Sequence, residues 1–260
     1  MHKDIDKVLG HITDIATKQT IKSFADSLFV VMDRESTYCT DFLSPGEINY
    51  CISLMNTYGF EDYIIYPSEK NCERNVIILH GRYNDPDPKD YVKSLSFHLE
   101  DSKINHRDVL GAILSLGVTR EKLGDILFTE DKAIIFLRNT IANFVLINLN
   151  KIGNKNVELF EIQDFDFSEV KKDHIKKNMV LSSLRLDTIC SGIMNVSRNK
   201  ARDKILKGDV KLNHIECKKA HEIIENNSII SIKGYGRFKY IESLGRTKKD
   251  NYIVEILKYV

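Results

Sequence analysis

Residues Ser183–Val210 read SLRLDTICSGIMNVSRNKARDKILKGDV, a stretch that two short helices in succession explain. Leu186, Ile189, Cys190 and Ile193 recur at intervals of three and four, the spacing that lines one face of an α-helix. Ser183 stands ahead of them as a candidate N-cap, because a hydroxyl there can accept an orphan backbone N–H. After a break at Asn195–Val196, Ser197 offers a second N-cap, and the pattern predicts a helix over Arg198–Lys207 closed by Gly208. At about 100° per residue, Lys200, Lys204 and Lys207 fall within about 60° of one another. Ala201, Ile205 and Leu206 turn toward the first helix, with Arg198 and Arg202 nearer the packed side. Ammonium groups on one stripe repel each other unless a polyanion faces them, and only Asp203 and Asp209 interrupt the run.

The charge distribution agrees with that reading. The whole chain of 260 residues has a formal charge of +1, but residues 171–260 hold 20 Lys and Arg against 10 Asp and Glu, which leaves 18 and 27 before them. A basic segment of this kind points to an acidic partner such as nucleic acid. Short β segments follow the helices: Val210–Asn213, Ile229–Lys233 and a glycine-flanked basic hairpin, Gly234–Tyr240. Lys211 and Arg237 lie on them, where lysine can hold a phosphate as a point charge and arginine as a fork. Tyr235 and Phe238 either stack on bases or, for Phe238, complete a small core. Tyr252–Val260 alternates as an edge strand should.

Upstream, the first seventy residues are expected to be mainly helical. Ile5, Val8, Leu9, Ile12 and Ile15 share one helical spacing, and Ile21, Phe24, Ala25, Leu28 and Val31 another. Ser44, Pro45 and Glu47 form a capping-box signature, with Gly59 as the stop. Strands at Tyr63–Tyr66 and Asn75–His80 follow, then turn chemistry at Asn84–Pro88. From Ser94 the order is strand, helix (Arg107 to Leu116), strand (Asp125–Phe128), strand (Ala133–Leu137), helix (Thr140–Leu149) and strand (Val157–Ile162). This is the split βαβ, ferredoxin-like (α/β plait) arrangement. Phe97, Phe128 and Phe136 could stack bases on such a sheet, but no Lys/Arg-Gly-aromatic signature accompanies them, and core packing is the better account. His106, Arg107, Arg120 and Lys122 flank the first of these helices, either as a secondary RNA contact or as a solvated helix edge.

The expected class is therefore α+β: a helical N-terminal region with a hairpin (1–85), a ferredoxin-like middle domain (86–168) and a small basic C-terminal domain (169–260). No apolar run approaches the ~18–20 residues that span a bilayer, and the first six residues, MHKDID, carry acids where a secretory signal would be apolar. Five scattered cysteines without a CxxC pair read as reduced thiols, and eight histidines show no metal-binding spacing. The chain is expected to be cytoplasmic, without membrane contact, cofactor or metal.

The residues Arg185-Leu186-Asp187, Ser197-Arg198-x-x-Ala201, Ile205, Gly208-x-Val210, Asn213 and Ser228-Ile229-Ile230 resemble the S-four RNA-binding domain, named for the fourth protein of the small ribosomal subunit. The resemblance implies an αL-type fold that grips structured RNA. One departure is Asn227, where that domain usually has Gly-Asp, which is expected to disturb a turn. Asn105 through Leu114, with Gly117, Arg120, Lys122 and Gly124-Asp125-Ile126, is similar to the middle domain of bacterial YlmH-type proteins, which also end in an S-four domain. That resemblance implies a non-enzymatic protein bound to ribosomal RNA or tRNA on the large ribosomal subunit, in quality control of stalled subunits. Arg185, Ser197, Arg198, Lys200, Arg202, Lys204, Lys207, Lys211 and Arg237 are the expected RNA-binding residues, and the acidic front half is the candidate surface for a protein partner.

The competing class is an RNA-modifying enzyme. Arg185-Leu186-Asp187 matches the tripeptide around the nucleophilic aspartate of pseudouridine synthases, but no large catalytic β domain remains to house it. Asp187 is better read as an acid at the positive end of a helix. A methyltransferase would need a glycine-rich nucleotide loop after a strand, and Gly234-x-Gly236 is too short.

Overall fold

In a computed structural model of the chain, Ser44 opens a helix as its context predicts. Its hydroxyl accepts from the Glu47 N–H, the Glu47 carboxylate accepts from the Ser44 N–H at 2.7 Å, and Gly59 ends the helix at φ 63°. The structure describes every residue except 1–4, 6, 7, 11, 13, 70, 71, 100–103, 171–173 and 260, so Met1–Asp4, Asp6 and Val260 of the sequence reading lie outside it. The fold is α+β, in two compact units, Met1–Lys171 and Lys172–Val260.

The first unit contains helices α1 (Ile15–Arg34) and α2 (Pro45–Tyr58) and strands β1 (Tyr38–Cys39), β2 (Tyr63–Tyr66) and β3 (Val76–Leu79), paired in the order β1-β3-β2, and ahead of α1 Ile5 and residues 8–10 are helical. Ile21, Phe24, Leu28 and Val31 of α1 pack on Leu54 and Met55 of α2. Ile15, expected on the apolar face, is 81% exposed. It follows the N-cap Asp14 directly, a full turn ahead of the buried stripe.

Strand β4 (Val92–His98), helix α3 (His106–Ser115), strands β5 (Leu123–Phe128) and β6 (Lys132–Arg138), helix α4 (Asn139–Asn148), a small hairpin of β7 (Lys151–Ile152) and β8 (Lys155–Asn156), and β9 (Phe160–Ile162) complete this unit. Strands β4, β5, β6 and β9 pair antiparallel in the order β5-β6-β4-β9. The final strand is shorter than expected because the hairpin precedes it. Leu95, Phe97, Ile135 and Leu137 face Val109 and Ile113 of α3 and Ala142 and Val145 of α4. The opposite face is covered as well: Leu127, Ile134 and Phe136 pack with Phe42, Val76 and Ile78, and the Phe165 and Phe167 rings lie 6.0 and 6.2 Å from Phe136. Contact is so close that a Cβ on Gly124 would sit 2.6 Å from the Phe42 ring. The expected boundary near residue 85 thus falls inside a unit that shares a core, and Phe97 and Phe136 are buried.

The second unit holds β10 (His174–Leu181), α5 (Leu186–Met194), α6 (Arg198–Leu206), β11 (Val210–Leu212), β12 (Ile215–Glu216), β13 (Ile229–Ile232), β14 (Gly236–Arg246) and β15 (Tyr252–Tyr259), in the sheet order β10-β15-β14-β13-β11-β12. Strand β15 is therefore interior, not an edge; β10, which the sequence reading missed, covers it in full register from His174↔Tyr259 to Leu181↔Tyr252. Alternation in β10 is blurred by Lys176 and Lys177, and Ile175 and Val180 are both exposed. Phe238 and Tyr240 join Ile189, Cys190, Ala201, Ile205 and Ile230 in the core, so Phe238 packs and does not stack on a ligand. Asn227 takes φ 68°, the left-handed conformation that asparagine tolerates better than most side chains, so the turn forms without glycine.

Candidate nucleic-acid interface

Helix α5 starts at Arg185, which is its N-cap without a side-chain capping bond; the Ser183 hydroxyl instead lies 2.9 Å from the Thr188 hydroxyl. The first N–H groups of the helix, on Leu186 and Asp187, donate to the backbone carbonyls of Glu222 and Ala220 at 2.8 and 2.9 Å and leave no role for a Ser183 cap. The Asp187 carboxylate, 4% exposed, accepts from Arg185 Nε at 3.2 Å and Nη2 at 2.9 Å, and from Arg198 Nη2 at 3.1 Å, with Arg198 Nε at 3.0 Å. Burial alone would push the carboxyl up, but the hydrogen bonds from Arg185 and Arg198 outweigh it and hold Asp187 below the usual carboxylate range. Asp187 is thus more than a helix-start acid. It ties the first turn of α5 to the first turn of α6 and fixes two guanidiniums side by side, each still partly exposed. An arginine has five N–H donors, so both keep donors for an anion.

Ser197 caps α6, its hydroxyl accepting from the Lys200 N–H at 3.4 Å. Ala201 and Ile205 are buried against α5, while Arg198, Lys200, Arg202 and Lys207 are exposed. Leu206, expected to face the first helix, is 50% exposed and lies among these cations. Lys204 departs from the expected stripe. Its ammonium donates to Asp209 Oδ2 and to the Lys233 carbonyl, both at 3.0 Å, and lies 5.9 Å from the centre of the Tyr235 ring. It pins the β13–β14 turn to α6, and its hydrogen bond holds Asp209 below the usual carboxylate range.

The sheet adds a second cationic surface. Val210, Ile230, Ile232 and Phe238 point into the core, so their neighbours Lys211, Ser231 and Arg237 point outward. Lys233 and Tyr259 accompany them and are not among the expected RNA-binding residues. Tyr259 could be found only from the strand register, since it meets Arg237 across the adjacent strands β14 and β15, which pair antiparallel.

The patch expected on the first unit is divided. Arg120 is turned onto the carbonyls of Leu123 and Gly124, and Lys122 pairs with Asp41 at 2.8 Å. Desolvation, with the nearby Arg74 charge, lowers Arg120 to about 10, and desolvation beside Arg120 pushes His106 down. His106 and Arg107, in the first turn of α3, are the exposed members. Among the described residues no His, Cys, Asp and Glu group could hold a metal ion, all five cysteines are free, and no helix is long and apolar enough to cross a membrane.

Residues 89–166 match a family model described as the putative RNA-binding domain in YlmH. Over 228 residues the chain is 28% identical to the ribosome-associated protein quality control protein P2 of Bacillus subtilis, covering 86% of this chain and 88% of that protein. A solved structure, the cell division protein ylmH from Streptococcus pneumoniae, is similar at 23% identity and a TM-score of 0.48, covering 58% of this chain and 94% of that one. The first two findings bear out the YlmH-type resemblance read from the residues.

Proposed function

We propose that this YlmH-type chain is a non-catalytic RNA-binding protein that docks on the ribosome through ribosomal RNA or tRNA and serves quality control of stalled large subunits. The fold that goes with this reading is a ferredoxin-like middle domain followed by an S-four domain. The observation that carries it is the run of exposed cations on α6, Arg198, Lys200, Arg202 and Lys207, beside an arginine pair preset by a buried carboxylate. Preset guanidiniums lose little freedom on meeting a phosphate, which favours the bidentate contact. The description matched by residues 89–166 and the name of the Bacillus relative support RNA and the ribosome as partners. Within 89–166 both sheet faces are buried, so RNA contact by that segment runs through Arg107 and the start of α3, not through stacking on the sheet.

The pseudouridine-synthase alternative is disfavoured by Asp187, whose carboxylate is 4% exposed and bracketed by two guanidiniums, a poor position for attack on a sugar. The test is the triple charge reversal Lys200→Glu, Arg202→Glu and Lys207→Glu, which omits the structurally engaged Lys204. Co-sedimentation with large subunits is expected to be lost, and the salt dependence of RNA binding to fall by about 0.9 in log–log slope per phosphate contact removed. Sedimentation equal to wild type would overturn the assignment. Nucleoside masses of ribosomal RNA from cells lacking the protein are expected to remain unchanged on incubation with it.

A further inference from the structure

The outer face of the C-terminal sheet holds a pocket of about 570 Å³ whose lining includes Lys211, Ser231, Lys233, Arg237 and Tyr259. The register explains its chemistry. Lys211 lies opposite Ser231, Ser231 opposite Arg237, and the Arg237 guanidinium 5.9 Å from the centre of the Tyr259 ring. A cation, a small hydroxyl, a second cation and an aromatic ring thus form one row across four adjacent strands. Ser231 is short, so the row is recessed at its middle. Gly234 and Gly236, at φ 86° and 105°, close the neighbouring turn, and a Cβ on either would meet nothing within 4 Å, so the rim is open.

Asp209 is the one acid of the lining, and Lys204 at 3.0 Å and Lys233 at 3.7 Å already balance it. The other charged residues of the lining, Lys211 and Arg237, are cations. A phosphate suits Lys211 and Arg237, and an aromatic ring two strands from Ser231 suits a planar base, since base stacking on such rings tolerates any sequence. We propose that this pocket binds a single nucleotide, its phosphate between Lys211 and Arg237 and its base against Tyr259. The ligand is a nucleoside monophosphate unit, either free or as an unpaired nucleotide of RNA; the RNA form rests on the function proposed above.

The experiment uses the full chain, with adenosine and uridine monophosphate and inorganic phosphate followed by NMR shift changes, and a fluorescent single-stranded RNA decamer followed by anisotropy. Arg237→Ala and Lys211→Ala are surface changes, checked by thermal melts, and are compared with the α6 triple reversal. Nucleoside monophosphates are expected to shift the signals of Ser231 and Tyr259 more than phosphate alone does, and Arg237→Ala to weaken their binding about tenfold. The α6 reversal leaves that binding intact. If Arg237→Ala also weakens decamer binding, the source is RNA; if only mononucleotide binding falls, the source is a free nucleotide. Either result upholds the pocket. No shift at the pocket with any nucleotide overturns it while leaving the α6 assignment standing, whereas unchanged ribosome binding by the α6 reversal overturns the proposed function alone.

Discussion

The sheet of β4, β5, β6 and β9 and the sheet of β10–β15 are built from similar strands, yet one is covered on both faces and the other on one. In the first, Phe97 faces the helices while Phe136, on the neighbouring strand, is directed to the other side, and each meets its own core. In the second, α5 and α6 cover one face, and the other carries Lys211, Ser231 and Arg237. The difference teaches that a sheet becomes a ligand surface only where no second layer buries it. Segment 89–166 bears the RNA-binding description, but its helices, not its strands, are what it can present.

The contrast is broken most directly at Phe136. Phe136→Ala is expected to destabilise the first unit by about 3–5 kcal/mol in denaturant unfolding, as removal of a buried ring does. A sheet whose second face was open would lose far less. The next effect concerns Asp187. Asp187→Asn is expected to lower the stability of the second unit by about 1–2 kcal/mol, the value for charged hydrogen bonds reduced because both guanidiniums are partly exposed. Its folded carboxyl is depressed, so its stabilisation is present above the ordinary value of about 3.9 and is lost as the pH falls through the folded value; the asparagine variant lacks that acid dependence.

Asp125 of the first unit sharpens the comparison with the opposite sign. Burial pushes it up, against the N–H bonds from Glu73 at 2.7 Å and Arg74 at 2.8 Å. Protonation therefore favours its folded form, and its contribution is fully present below the ordinary carboxylate value and is lost as the pH rises through the raised one. Hydrogen-exchange protection is expected to strengthen around β5 as the pH falls toward the ordinary carboxylate value of about 3.9, and to weaken around α5 as it falls below that value. The smallest effect is at the first-unit patch. Arg120→Ala is expected to cost about 1 kcal/mol through its lost carbonyl bonds while leaving ribosome co-sedimentation unaltered. Loss of binding with unchanged stability would instead make Arg120 an RNA contact.

Several features were readable one residue at a time. The caps at Ser44 and Ser197, the stop at Gly59 and the buried stripe of α5 all depend on neighbours within a turn of helix, and all stand. The sequence predicts no strand at β10 because only its C-terminal end packs inward, and it predicts an edge at β15 because nothing in Tyr252–Tyr259 says what pairs with it. Ser183 does not cap α5 because the helix's first N–H groups donate to the Glu222 and Ala220 carbonyls, partners more than thirty residues on that a cap rule does not weigh. Lys204 was grouped with Lys200 and Lys207 by helical angle, yet an acid five residues on and a carbonyl twenty-nine residues on hold its ammonium.

From the sequence alone came the α+β composition, the helix limits set by local hydrogen bonding and the concentration of positive charge after Val170. These depend on residue type and on spacing within a few positions. The tertiary structure decided which sheet faces are covered, which cations reach solvent and which ones brace the fold, and where Tyr259 meets Arg237. Those outcomes depend on the register of strands and on carboxylates brought from other elements, and a linear pattern carries no distance between residues far apart in the chain.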